Sequence, residues 1–202
     1  RKEKALAIMT QSPDCIEPFC FLSDDEKALL SSPRGPIVLL EKRQASAFSY
    51  LSKTRYLGVM LPFTPLHHLL LDGAFGGPSI AVMTSANLPG CPVILDNEEA
   101  LEKLSGIADG FLLHNRPIEN RCDDSLVMVW EKKEYFFRRS RGYAPQPLSL
   151  PFSVDGILAM GAEQKASFAI GKGNYSFLSP HIGDLKNMEV KEHYVSAIKT
   201  YE

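Results

Sequence analysis

The residue types best suited to chemistry cluster at the ends of apolar runs. Met83 to Asn87, MTSAN, closes one such run with small hydroxyl and amide side chains and is followed by the turn pair Pro89-Gly90. In open α/β sheets ligands sit beyond the carboxyl ends of strands, so Thr84, Ser85 and Asn87 can present short donors and acceptors to a ligand there. The same spacing also describes a polar turn in which Asn87 takes a left-handed conformation. Asp123-Asp124-Ser125 precedes another apolar run, and Arg138-Arg139-Ser140-Arg141-Gly142 closes the next. A serine beside carboxylates and a triple-arginine strand end suit a triphosphate with its Mg²⁺, because guanidinium forks match phosphate oxygens. A solvated charge run is the alternative.

Two further polar segments are ambiguous. His67 and His68 open an apolar helical stretch, but neighbours on a helix face different ways and cannot easily ligate one metal. One is expected to be buried and hydrogen-bonded, the other to face a ligand. The segment His114-Asn115-Arg116-Pro117 reads as a polar loop after a strand. Familiar nucleotide and hydrolase signatures are missing. Gly171-Lys172-Gly173 has neither the spacing nor the terminal Ser/Thr of a P-loop, no third glycine completes a dinucleotide fingerprint, and there is no G-x-S-x-G elbow.

These residues need a scaffold, and the composition supplies an ordinary globular one: 202 residues, 45% hydrophobic and 23% charged, with a net charge of -2. Such a balance gives no global attraction to nucleic acid or anionic lipid, so any anion site must be local. Four dispersed cysteines without a C-x-x-C pair argue against a structural zinc site and a disulfide framework, and favour reduced cytoplasmic thiols. No apolar run reaches the roughly 18 residues of a membrane span.

Apolar runs at Ile37 to Leu40, Leu57 to Leu61, Ile80 to Met83 and Leu126 to Trp130 alternate with capped helical patterns, which predicts an α/β fold with a central sheet. Helix starts are expected at Ser23 with Glu26, at Thr64 with Pro65, at Asp96 with Glu99, and at Asn187; Gly106 fits a helix end. The proline-rich stretch from Ala144 to Ser153 cannot continue a helix or an inner strand and predicts an extended linker. The expected division is therefore a first domain over 1–147, a linker over 148–153, and a second block over 154–202. That block should open with antiparallel strands turning near Gly171 to Asn174. Some fifty residues are few for an independent α/β domain, so it is expected to be the opening of a larger one.

Taken in order, the segments GVMLPFTPLHHLLL, VMTSANLPGCPV, IADGFLLHNRPIENRCDDSLV, FFRRSRGYAPQPL, MGAEQKASFAI and LSPHIGDLKN resemble the hydrogenase-maturation carbamoyltransferases of the HypF type over nearly the whole chain. The resemblance implies a YrdC-like domain, a twisted open mixed sheet with helices, followed by the first strands of an ASKHA-type transfer domain. It implies a reaction in which carbamoyl phosphate and ATP yield carbamoyl adenylate. The carbamoyl group then passes to the C-terminal cysteine of the partner HypE for cyanide ligand synthesis. Ser85 and Asn87 match the family's S-x-N signature, Ser125 a phosphate-binding serine, and Arg138 or Arg139 the arginine closing the site. RKEKALAIM is similar to R-x-x-K-P-F-A-x-M, with Ala5 in place of the proline, so Arg1 and Lys4 would face phosphates. Gly161, Glu163 and Lys165 would lie near a nucleotide in the second domain's first hairpin.

The expected cofactors are thus ATP and Mg²⁺, with zinc or iron confined to family regions outside this chain, as are the Gly-Gly-Phe-His-Leu segment and the acylphosphatase domain. A tRNA threonylcarbamoyl-adenylate synthase of the YrdC type and a double-stranded-RNA-binding module are the competing expectations.

Overall fold

A computed structural model describes residues 5–201. Arg1 and Lys4, expected to face phosphates, lie outside the described residues. The chain divides into two compact units, neither of them continuous in sequence: residues 1–84 with 124–142, and residues 85–123 with 143–202.

The first unit is built on six strands: β1 (Ala7–Thr10), β2 (Ile37–Glu41), β3 (Tyr56–Met60), β4 (Ile80–Met83), β5 (Leu126–Trp130) and β6 (Lys133–Arg138). Their order in the sheet is β4-β1-β3-β2-β5-β6. The pairs β1–β3 and β2–β5 are parallel, and the other neighbours run antiparallel, so the sheet is mixed. Helices α1 (Asp24–Leu30) and α2 (Pro65–Leu71) accompany it. Both begin where local chemistry dictates. Ser23 and Glu26 close a reciprocal capping box, and the Thr64 hydroxyl accepts from the His67 amide with Pro65 in the first turn. The four apolar runs read from the sequence are β2, β3, β4 and β5. Their side chains bury Val38, Leu40, Leu57, Val59 and Val127 completely, together with Ile8 of β1. A second cluster joins Met9, Met60 and Leu71, with Phe63, Ala81 and Met83 packed against it, and seats α2 on the sheet.

The β5–β6 hairpin turns on Glu131 and Lys132, which both have positive φ, 49° and 60°. Tight hairpins favour this geometry because its twist matches the strands, but it favours Asn and Gly over long L side chains. Lys132→Gly is therefore expected to stabilise the protein by roughly 0.5 to 1 kcal/mol, the left-handed penalty relieved less the added chain entropy. Urea unfolding followed by circular dichroism should show the higher midpoint.

The second unit has a four-stranded antiparallel sheet. Its strands are β7 (Leu148–Ser149), β8 (Leu158–Met160), β9 (Phe168–Lys172) and β10 (Tyr175–Leu178), in the order β7-β10-β9-β8. The β9–β10 turn is Gly173-Asn174, with Gly173 at φ 57°, where the alternation of apolar and polar residues placed it. Helix α3 (Asn97–Leu104) is capped by Asp96, whose carboxylate accepts from the amides of Glu98 and Glu99, and it ends on Ser105, just before Gly106. Helix α4 (Met188–Tyr201) is capped by Asn187, which accepts from the amides of Glu189 and Val190. Its apolar side lays Val190 and Tyr194 on Ala166, Phe168 and Ile182, with the Phe168 and Tyr194 rings edge-to-face at 5.7 Å. Residues 144–153 contain no helix, but they are more than a linker: Leu148 and Ser149 pair with Ser176 and Tyr175 as an edge strand, a position prolines on either side do not obstruct. No described helix is long and apolar enough to cross a membrane.

Candidate functional site

In the first unit the chemistry gathers where β5 starts and β6 ends. Ser125 is completely buried. Its hydroxyl donates to the Arg141 carbonyl at 2.9 Å and accepts from the Ser140 amide at 2.8 Å, so it pins the segment after β6 to the start of β5. Arg141 turns inward. Its Nε and Nη2 donate to one Asp124 oxygen at 2.9 and 2.7 Å, Nη2 also reaches the Gly35 carbonyl at 2.7 Å, and Nη1 the Arg34 carbonyl at 3.3 Å. The guanidinium also lies 3.5 Å from the centre of the Phe63 ring, a close cation–π contact. Arg138 and Arg139, on the same strand end, are both half-buried. Arg138 donates to the Asp124 carbonyl at 3.3 Å.

Phe63 carries a second ring on its edge, that of His67, at 4.5 Å. His67 is half-buried and its Nδ1 is enclosed with no hydrogen-bond partner among the described residues, whereas His68 is exposed. The buried histidine expected to be hydrogen-bonded is thus held by packing. Burial and then the charge of Arg141 push its pKa below the ordinary value, outweighing Asp124. Unfolded chains therefore take up this proton first, and the contribution of neutral His67 to stability is present above pH about 6.5 and is lost as pH falls through the depressed folded value. His67→Gln should flatten that part of the fall, as read by urea midpoints measured on either side of this range.

In the second unit, Ser85 and Asn87 form one hydrogen-bonded turn. The exposed Ser85 hydroxyl donates to Asn87 Oδ1 at 2.6 Å, and Asn87 Nδ2 donates to the carbonyls of Leu88 at 3.1 Å and Cys91 at 2.8 Å. Thr84, which follows β4 and belongs to the first unit, is exposed. Gly161, Glu163 and Lys165 lie in the β8–β9 connection, all exposed. There the Lys165 amide donates to Asp184 at 2.8 Å and the Leu185 amide to the Glu163 carbonyl at 2.9 Å, so the residues 184–185 brace the loop. The His114 carbonyl accepts from Asn97 at 2.7 Å. Two clefts on α4, of about 340 and 490 Å³, are lined by none of these residues. Among the described residues no group of three or more His, Cys, Asp or Glu side chains could hold a metal ion.

Residues 1–140 match the family Sua5_yciO_yrdC, described as telomere recombination. The chain belongs to that family. Residues 153–202 match the HypF Kae1-like domain, so the YrdC-like region is followed by part of a second one. The probable carbamoyltransferase HypF of Methanocaldococcus jannaschii is 44% identical over 94% of the chain and 24% of its own length. The carbamoyltransferase HypF of Synechocystis is 41% identical over 98% and 26%. A crystal structure of full-length HypF in the phosphate- and nucleotide-bound form superposes with a TM-score of 0.90 at 42% identity, covering all of this chain and 32% of that one. The chain thus spans about a quarter of the length of the curated relatives it matches.

Guanidinium groups at the end of β6, in the first unit, and the Ser85–Asn87 turn, in the second, are each of a donor type that suits phosphate. Sequence reasoning grouped Arg141 and Asp124 with the anion-binding side chains, whereas the structure pairs them with each other. The signal was present in the third arginine of the run, but only the fold shows which arginine turns inward.

Proposed function

We propose that this chain carries the adenylate-forming region of a HypF-type carbamoyltransferase and the opening of its transfer domain, divided at 1–147, 148–153 and 154–202. The observation that carries this reading is the succession of a YrdC-like match and a HypF Kae1-like match along one chain, which a stand-alone threonylcarbamoyl-adenylate synthase would not need. Carbamoyl phosphate would release its phosphate to leave carbamate, which would attack the α-phosphate of ATP, entering with Mg²⁺, to give carbamoyl adenylate and pyrophosphate; the second domain would pass the carbamoyl group to the C-terminal cysteine of HypE with release of AMP, in hydrogenase maturation, in the cytoplasm.

The chemistry asks for positioning and charge neutralisation more than for a nucleophile. Arg138 and Arg139, with Lys4 and Arg1, supply cations for phosphate oxygens. Ser85 and Asn87 supply a turn whose amide is already oriented by an internal hydrogen bond. Ser125 acts by fixing the arginine-bearing segment, since its own hydroxyl is used within the fold. A mixed carbamic–phosphoric anhydride is destroyed by water, so donors that need no reorganisation are what the site must provide.

In the complete protein, Ser85→Ala and Arg139→Ala are each expected to lower carbamoyl-phosphate-dependent ATP–pyrophosphate exchange about a hundredfold with an unchanged circular dichroism spectrum. Wild-type exchange in both would remove them from the mechanism. Exchange driven by bicarbonate and threonine in place of carbamoyl phosphate would instead identify a threonylcarbamoyl-adenylate synthase. Salt-sensitive RNA binding without any exchange would point to a double-stranded-RNA module.

A further inference from the structure

Residues 85–123 fall within the span of the YrdC-like match, yet they pack into one compact unit with residues 143–202, which contain the HypF Kae1-like match. Two side chains from the latter region hold the two ends of this segment. At its beginning, Asn187 Nδ2 donates to the Gly90 carbonyl at 3.1 Å and approaches Cys91 Sγ at 3.8 Å. The same Gly90–Cys91 turn is also held by Asn87, which donates to the Cys91 carbonyl at 2.8 Å. At its end, His181 Nδ1 meets Asp123 Oδ2 at 2.8 Å, with both side chains largely shielded from water, 20% and 23% exposed.

The orientation of Asn187 is fixed by chemistry. Its oxygen caps α4 by accepting from two amides, which leaves only its nitrogen to face the Gly90 carbonyl. One side chain thereby ties the first turn of α4 to the turn that carries Ser85 and Asn87.

The geometry points to Asn187 and His181 as positioning residues for adenylation: they belong to the transfer-domain region but set the Ser85–Asn87 turn by holding residues 85–123 at both ends. This rests on the adenylating role proposed above for that turn. It places the control of one half-reaction in residues assigned to the other, so that the Kae1-like region is required for the first step as well as the second.

Asn187→Asp separates this role from helix capping, because the carboxylate still accepts from the α4 amides while nothing donates to Gly90. Amide hydrogen exchange on the complete protein should show residues 85–93 exchanging roughly tenfold faster in Asn187→Asp, the effect of one lost hydrogen bond, with α4 unaltered. His181→Ala should do the same around residue 123. His181→Asn, which keeps a donor where Nδ1 stood, should restore protection. ATP–pyrophosphate exchange should fall about tenfold in Asn187→Asp and His181→Ala and recover in His181→Asn. Unchanged protection over 85–93, or loss spread equally over α4, would overturn the inference. So would altered protection with wild-type exchange activity. A wild-type protein without any exchange activity would defeat the adenylating role instead, while the hydrogen-exchange comparison would still decide whether the two anchors hold the segment.

Discussion

Replacing Gly142 with alanine is expected to lower stability by about 4 kcal/mol, the sum of a left-handed backbone penalty and an overpacking term. Gly142 has φ 85°, a conformation costly to any residue with a Cβ. An added methyl would also stand 2.3 Å from the Arg34 carbonyl oxygen and 2.9 Å from its carbon. Backbone atoms cannot swing aside as a side-chain tip can. The loop around Arg34 must move, and Arg141, which donates to the carbonyls of Arg34 and Gly35, loses its seat with it. Urea titration followed by circular dichroism should show the early transition. A wild-type midpoint would mean that the strand end adapts without cost.

Arg141→Ala should cost about 3 kcal/mol, near the lower end for breaking a buried ion pair because the partners keep 24% and 37% exposure. The substitution takes from Asp124 its arginine, from two carbonyls one donor each, and from the Phe63 face its charge. Arg141→Lys restores the charge but not the fork, since an ammonium cannot meet Asp124 and two carbonyls in the same plane. It should recover less than half of the loss. Equal stability of the alanine variant and the parent would show the pair to be a surface contact of little consequence. His67 offers a second readout: without Arg141 nearby, its pKa should rise toward the ordinary value, visible by NMR titration.

Local chemistry was legible in the sequence wherever the partners lie within a turn of each other. Ser23 with Glu26, Thr64 with Pro65, Asp96 and Asn187 each start the helix expected of them, because a cap needs only the amides that follow it. The order of motifs along the chain likewise carried the family. Edge pairing was harder. Leu148 and Ser149 lie among prolines, and only the arrival of β10 from nearly thirty residues on makes a strand of them. Side-chain direction was hardest of all. Ser125 and Arg141 look like ligand contacts in a linear reading, yet one is fully buried and the other is spent on Asp124. The Asp123–His181 contact joins residues 58 positions apart, and no spacing rule could have proposed it.

The second unit's discontinuity also bears on how the protein is made. Residues 85–123 emerge from the ribosome well before α4, and the 78 residues from Asp124 to Tyr201 take on the order of ten seconds to follow at ordinary rates of synthesis. Throughout that interval Asp123 has no His181 and Gly90 no Asn187. The first unit meanwhile gains β5 and β6 and can close around them. Biosynthesis thus has an order in which the unit with the six-stranded sheet matures first and the Ser85–Asn87 segment waits in the nascent chain. Defects in α4 would consequently surface as lost yield of folded protein before they surface as lost activity.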